Sequence, residues 1–112
     1  MKGSYLGEFQ EIVLLAIVVL DNKAYGVSIQ EEIANRIGRS ISRGALHSAL
    51  SRLEKKGFLK SGMGGATAER GGRQKRFYEL TKAGREALHN AEQLRIQFYK
   101  AIPGRLPNIS NA

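Results

Sequence analysis

Ten of the chain's 18 lysines and arginines lie between Arg39 and Arg76. They are Arg39, Arg43, Arg52, Lys55, Lys56, Lys60, Arg70, Arg73, Lys75 and Arg76, and only Glu54 and Glu69 offset them. The formal net charge of +8 therefore belongs to this stretch, and the remainder is neutral. Solvated surfaces mix their signs, whereas a segregated excess suits a face turned to a polyanion. Two clusters stand out within it. The first is Ser42, Arg43 and Gly44, followed at helical spacing by His47, Ser48, Ser51 and Arg52. An arginine can give guanine two hydrogen bonds, worth roughly 1–3 kcal/mol of base discrimination. Small residues let a helix come close, and its free N–H groups attract phosphate. The second cluster is Arg70, Gly71, Gly72, Arg73, Lys75 and Arg76. Its glycines let the backbone approach a sugar-phosphate chain, and its cations suit phosphates or a minor groove.

Other chemistry finds little support. The chain has no cysteine, which removes disulfides, thiolate zinc sites and thiol nucleophiles and fits a reducing cytoplasm. His47 and His89 fall on different elements without carboxylates at ligand spacing, so no metal site is expected. No serine–histidine–acid set is apparent, and Gly71-Gly72-Arg73 matches neither nucleotide-binding glycine pattern. The sequence thus predicts a non-enzyme without cofactors. The apolar run Ile12–Leu20 is too short to cross a bilayer and reads as a buried helix, so no membrane partner is expected.

The elements that must carry the two clusters follow from periodicity. A first helix is expected over about Leu6–Leu20, apolar on every side in its second half, as befits a core or an interface. A second runs from Gly26 or Val27 to Ile37, with Ile29, Ile33, Ala34 and Ile37 on its apolar side and Gly38 as its stop. A third runs from Ser42 as N-cap to Lys56, ended by Gly57, with Leu46, Ala49, Leu50 and Leu53 inward. The second and third, joined by a tight turn, form a helix-turn-helix. Phe58–Met63 and Gln74–Leu80 read as strands flanking a glycine-rich hairpin tip, Gly64–Arg73. Thr81 caps a last helix, Lys82 to about Ala101, with Ala87, Leu88, Ala91, Leu94, Phe98 and Ile102 on its apolar side. The fold class is mainly α with a small β-hairpin: a winged helix-turn-helix over residues 1–80, a C-terminal dimerisation helix over 81–102 in the same compact unit, and a flexible tail over 103–112. Lys23 and Tyr25, just before the second helix, are further candidates for contact with a nucleic-acid backbone.

The stretch from Ala45 to Leu59 (ALHSALSRLEKKGFL) resembles the recognition-helix signature of the PadR family of bacterial transcriptional regulators. The stretch from Gly71 to Gly84 (GGRQKRFYELTKAG) resembles that family's wing and the start of its last helix. The opening Gly7-Glu8-Phe9-Gln10-Glu11 and Tyr25-Gly26 also fit, so the resemblance runs from about Leu6 to Leu94. It departs at His47, where the family usually has tyrosine, and at Gln74, where it often has proline. The chain is similar to the family's short branch. The resemblance implies a homodimer that binds double-stranded DNA and usually represses transcription, with the last and first helices forming the dimer. Leu6, Phe9, Ala91, Leu94, Phe98 and Ile102 are the candidate dimer residues, since the last helix extends beyond what one domain can cover. A two-fold dimer would set two recognition helices on successive major-groove faces of a pseudo-palindrome. A small-molecule effector is a further partner the resemblance suggests, of no identifiable class. Two alternatives are an RNA-binding domain and a winged-helix module for protein contacts.

Overall fold

The computed structural model describes residues 6–64 and 75–104. The expected wing residues Arg70, Gly71, Gly72 and Arg73, and nearly all of the expected tail, lie outside the described residues. Helix α1 spans Glu8–Leu20, with Glu8 and Glu11 placed favourably against the helix dipole in its first turn. Val13, Leu14, Ala16 and Ile17 are buried, and Val13, Leu14 and Ile17 join the largest fully buried side chains. The helix that reads apolar all round is divided lengthwise: Leu15, Val18 and Val19 stay 47–52% exposed. Asp21 ends it with a φ of 56° and a ψ of −124°, a backbone state that suits glycine.

A 3₁₀ turn, Asp21–Lys23, leads to Ala24 and Tyr25, which run alongside the hairpin. The Ala24 carbonyl accepts from the Tyr78 N–H at 2.9 Å, and Tyr25 forms an isolated antiparallel bridge with Phe77. Helix α2, Gly26–Ile37, then starts from Tyr25, whose N–H donates to Ser28 Oγ at 2.9 Å. Ile29 and Ile33 are buried, but Ile37 is 49% exposed and Ala34 is exposed. The expected four-residue isoleucine face is thus shorter than the sequence suggests. Each four-residue step turns about 40° around the axis, so Ile37 lies roughly 80° from Ile29 and off the core. Gly38 closes α2 in the left-handed conformation, φ 67°.

Helix α3 spans Arg43–Lys55 and is capped by Ser42, whose Oγ accepts from the Ala45 N–H at 3.0 Å. Leu46, Ala49, Leu50 and Leu53 are buried, as the apolar spacing predicts. The Gln30 side chain reaches from α2 and donates to the Ile41 carbonyl at 2.8 Å, tying down the turn before the cap. The helix ends in a Schellman arrangement: Phe58 N–H to the Leu53 carbonyl, Gly57 N–H to the Glu54 carbonyl, and Gly57 at φ 82°.

Strands β1, Leu59–Gly64, and β2, Lys75–Leu80, pair antiparallel from Leu59 opposite Leu80 to Gly64 opposite Lys75. Leu59, Tyr78 and Leu80 are buried. Helix α4, Lys82–Ala101, begins at Thr81. Thr81 Oγ1 accepts from the Gly84 N–H at 3.1 Å and donates to the Gly57 carbonyl at 2.5 Å, while the Thr81 N–H donates to the Phe58 carbonyl at 3.1 Å. The helix lies so close to this turn that a β-carbon on Gly84 would sit 2.1 Å from the Phe58 oxygen. Glycine is therefore required there by contact. No described helix is long and apolar enough to cross a membrane.

Candidate nucleic-acid interface

The outward side of α3 carries the residues expected of a reading helix. Ser42, Arg43, Gly44, His47, Ser48 and Arg52 are exposed and Ser51 is half-buried. Arg43 and Gly44 occupy the first turn, where unpaired backbone N–H groups and the positive end of the helix dipole add to the arginine charge. Among the described residues, the side chains of Arg43, Arg52 and Lys55 have no ion-pair or hydrogen-bond partner. Glu54, the one acid on α3, is engaged: Ser61 Oγ donates to its carboxylate at 2.8 Å.

The hairpin base joins this face through two anchored cations. Arg76 donates to Ser61 Oγ at 2.9 Å, completing a chain Arg76–Ser61–Glu54 that fastens β2 and β1 to the end of α3. Lys75 sets its ammonium 3.8 Å from the centre of the Tyr25 ring, and that ring meets Phe77 edge-on at 5.4 Å. Tyr25, expected as a backbone contact, is half-buried and forms the seat for Lys75. Lys23 is exposed, and its carbonyl accepts from Ser28 Oγ at 2.6 Å.

The basic stretch is less uniform in space than along the chain. Arg39 pairs with Glu8, 31 residues away, at 3.1 and 3.3 Å, and Lys60 pairs with Glu79 at 3.3 Å. The Arg39 guanidinium holds the Glu8 carboxyl below the usual carboxylate range. Burial raises the Tyr78 hydroxyl above the ordinary tyrosine value. Of the other described cations in this stretch, Arg43, Arg52 and Lys55 lie on α3 and Lys75 and Arg76 at the base of the hairpin. No cluster of three or more histidine, cysteine or acidic side chains that could hold a metal occurs among the described residues.

The candidate dimer residues separate into two groups. Leu6 and Phe9 are half-buried and pack against the chain's own core. Ala91 and Ile102 are half-buried, whereas Leu94 and Phe98 are 49% and 70% exposed. Leu15, Val18 and Val19 add an exposed apolar strip on α1 that the sequence reading did not single out. The signal was present in a helix apolar on more sides than one core can use. Glu11 accepts from Arg95 at 2.7 Å, linking α1 to α4 between these groups.

Comparison with known proteins agrees with this architecture. Among curated proteins none matches at the sequence level. A PadR family transcription regulator from Clostridium difficile R20291 is 26% identical, with a TM-score of 0.66 over 82% of this chain and 92% of that one. RosR from H. salinarum superposes with a TM-score of 0.67 at 23% identity, covering 88% of this chain and 81% of that one. PadR of Bacillus subtilis, solved in complex with operator DNA, gives a TM-score of 0.59 at 16% identity over 90% of this chain but 51% of that one. These likenesses confirm the winged-helix fold. The sequence profile of the "Transcriptional regulator PadR-like family" matches residues 14–90, from the middle of α1 into α4. The chain belongs to that family of transcriptional regulators.

Proposed function

We propose that this protein is a sequence-specific, double-stranded DNA-binding repressor that acts as a homodimer on a pseudo-palindromic operator in the cytoplasm. The observation that carries this reading is the α3 face: Arg43, His47, Ser48 and Arg52 project outward from a capped helix whose one acid, Glu54, accepts from Ser61. In this reading α3 enters the major groove with Arg43 on base edges. Lys75, Arg76 and the residues of the hairpin tip, including Arg70 and Arg73, then meet backbone or minor groove. The apolar strip Leu15, Val18 and Val19 on α1 and Leu94 and Phe98 on α4 support dimerisation, because a lone protomer leaves them in water.

Gel shifts with the DNA upstream of the protein's own gene, run across salt and against bulk competitor, test the proposal. Phosphate contacts make log affinity fall linearly with log salt. Arg43→Ala should reduce the preference for operator over competitor by about 1–3 kcal/mol. Binding without preference for any duplex, or without salt dependence, would turn the reading toward an RNA-binding or protein-interaction module.

A further inference from the structure

Arg39 lies in the turn just before the Ser42 cap, and both ends of its guanidinium donate to the Glu8 carboxylate, at 3.1 and 3.3 Å. We infer that Glu8 is a built-in decoy for a DNA phosphate: it cancels one backbone contact at Arg39 and so holds down the affinity for duplex of any sequence. The inference rests on the DNA-binding function proposed above and adds to it a residue that weakens the contact. Placement carries it. Glu8 opens α1, and with Ala45, Ser48 and Arg52 it lines a cleft beside the outward side of α3. A carboxylate thus stands at the margin of the surface that the proposed function turns to DNA. A recognition helix in the major groove has a sugar-phosphate strand on either side, and arginines at its flanks suit phosphates.

The start of α1 offers three acceptors to three other elements. Gln10 accepts from Lys56, at the far end of α3, at 3.0 Å, and Glu11 accepts from Arg95 of α4 at 2.7 Å. Gln10 is neutral and leaves the lysine charge in place, and Glu11 is spent on α4. Among these three, only Glu8 sets a full negative charge against a cation next to α3. The fold asks little of the pair. Its side chains are 41% and 68% exposed, and exposed pairs contribute little to stability. Gln30 already holds the Ile41 carbonyl, and Ser42 already caps α3. A phosphate, in turn, offers Arg39 the same two-pronged geometry as the carboxylate. On DNA two arrangements exist. Either the phosphate displaces the carboxylate and leaves it facing the backbone, or the pair persists and the arginine adds nothing. Both cancel one contact.

Titrations of the full chain with the DNA upstream of its own gene and with a bulk duplex, across salt, test the decoy. Glu8→Gln keeps the side-chain shape at an exposed position, so the fold should stand. It should steepen the slope of log affinity against log salt by about 0.9, one phosphate's worth, which amounts to about fivefold tighter binding at about 0.15 M salt. The ratio between the two duplexes should stay within about twofold, because phosphates carry no sequence. Arg39→Gln leaves the carboxylate bare and should weaken both by a similar factor. The double variant should return to within about twofold of the parent, since the pair is neutral as a unit. Glu86→Gln removes the same charge from α4, outside the cleft, and should change affinity by less than about twofold. Glu8→Gln binding no tighter than the parent, with helical circular dichroism intact, would overturn the decoy, and so would equal tightening by Glu86→Gln. A double variant as weak as Arg39→Gln would also overturn it, because Arg39 would then already be on a phosphate in the parent. No duplex binding by parent or variants removes the DNA reading and the decoy together, whereas parent-like binding by Glu8→Gln removes the decoy alone.

Discussion

Replacing Gly84 with alanine tests the close approach of α4 to the turn that ends α3. The new β-carbon would lie 2.1 Å from the Phe58 oxygen and 3.0 Å from its carbonyl carbon. Carbon and carbonyl oxygen meet comfortably at about 3.3 Å, so α4 and the turn must part by roughly 1 Å. That separation strains two hydrogen bonds, Thr81 N–H to Phe58 and Thr81 Oγ1 to Gly57. Each is worth about 0.5–1.5 kcal/mol net, and overpacking adds about 1–3 kcal/mol. Against this, alanine improves helix propensity by roughly 0.5–1 kcal/mol. The net expectation is a loss of about 2–4 kcal/mol. Urea unfolding followed by circular dichroism, at one fixed protein concentration because association shifts apparent stability, should show the midpoint falling by roughly 1–2 M with little change in slope. An ordinary solvent-facing helical glycine would give the opposite sign. A Gly84→Ala protein as stable as the parent, or more so, would therefore refute the description of this junction.

Asp21→Gly should stabilise the chain by about 1 kcal/mol, because relieving a backbone state that costs about 1–3 kcal/mol outweighs glycine's entropy; thermal unfolding would register the gain. Glu8 should titrate below the ordinary glutamate range in carbon-detected NMR and return to it in Arg39→Gln. A lowered carboxylate pKa contributes stability above the unfolded value that is lost as pH falls through the folded one, so the link between α1 and the α2–α3 turn should weaken in acid, and also in high salt. Val18→Glu and Phe98→Glu should each convert a dimeric species into a monomer in sedimentation velocity without loss of helical signal; a mass unchanged at micromolar concentration would remove these strips from the proposed interface.

Local signals made much of the fold readable. Ser42 and Thr81 cap α3 and α4 at the expected positions, and Gly38 and Gly57 stop their helices, because caps and left-handed glycines act within a few residues. What escaped was set by distant partners. A charge tally along the chain sees Arg39 and Lys60 as free, yet Glu8 and Glu79 answer them across the fold. Tyr25 precedes a helix in sequence, but its ring contacts, Lys75 and Phe77, lie 50 and more residues on. An apolar helix announces burial without saying by what, so Leu15, Val18 and Val19 could not be told from Val13, Leu14 and Ile17. The exposed face of α3 was legible because its polar residues alternate with a stripe of Leu46, Ala49, Leu50 and Leu53 that one core consumes.

The Thr81–Gly84 junction also sets a mechanical ratio. Helix α4, 20 residues and about 30 Å long, is pinned at its start to the turn that directly ends α3. Tilting it by roughly 10° about that pin would carry its far end about 5 Å, while the pinned end and the last turn of α3 shift by a fraction of that. The length of α4 thus magnifies any small rotation at the turn that ends α3 into a displacement of ångströms at Phe98 and Ile102.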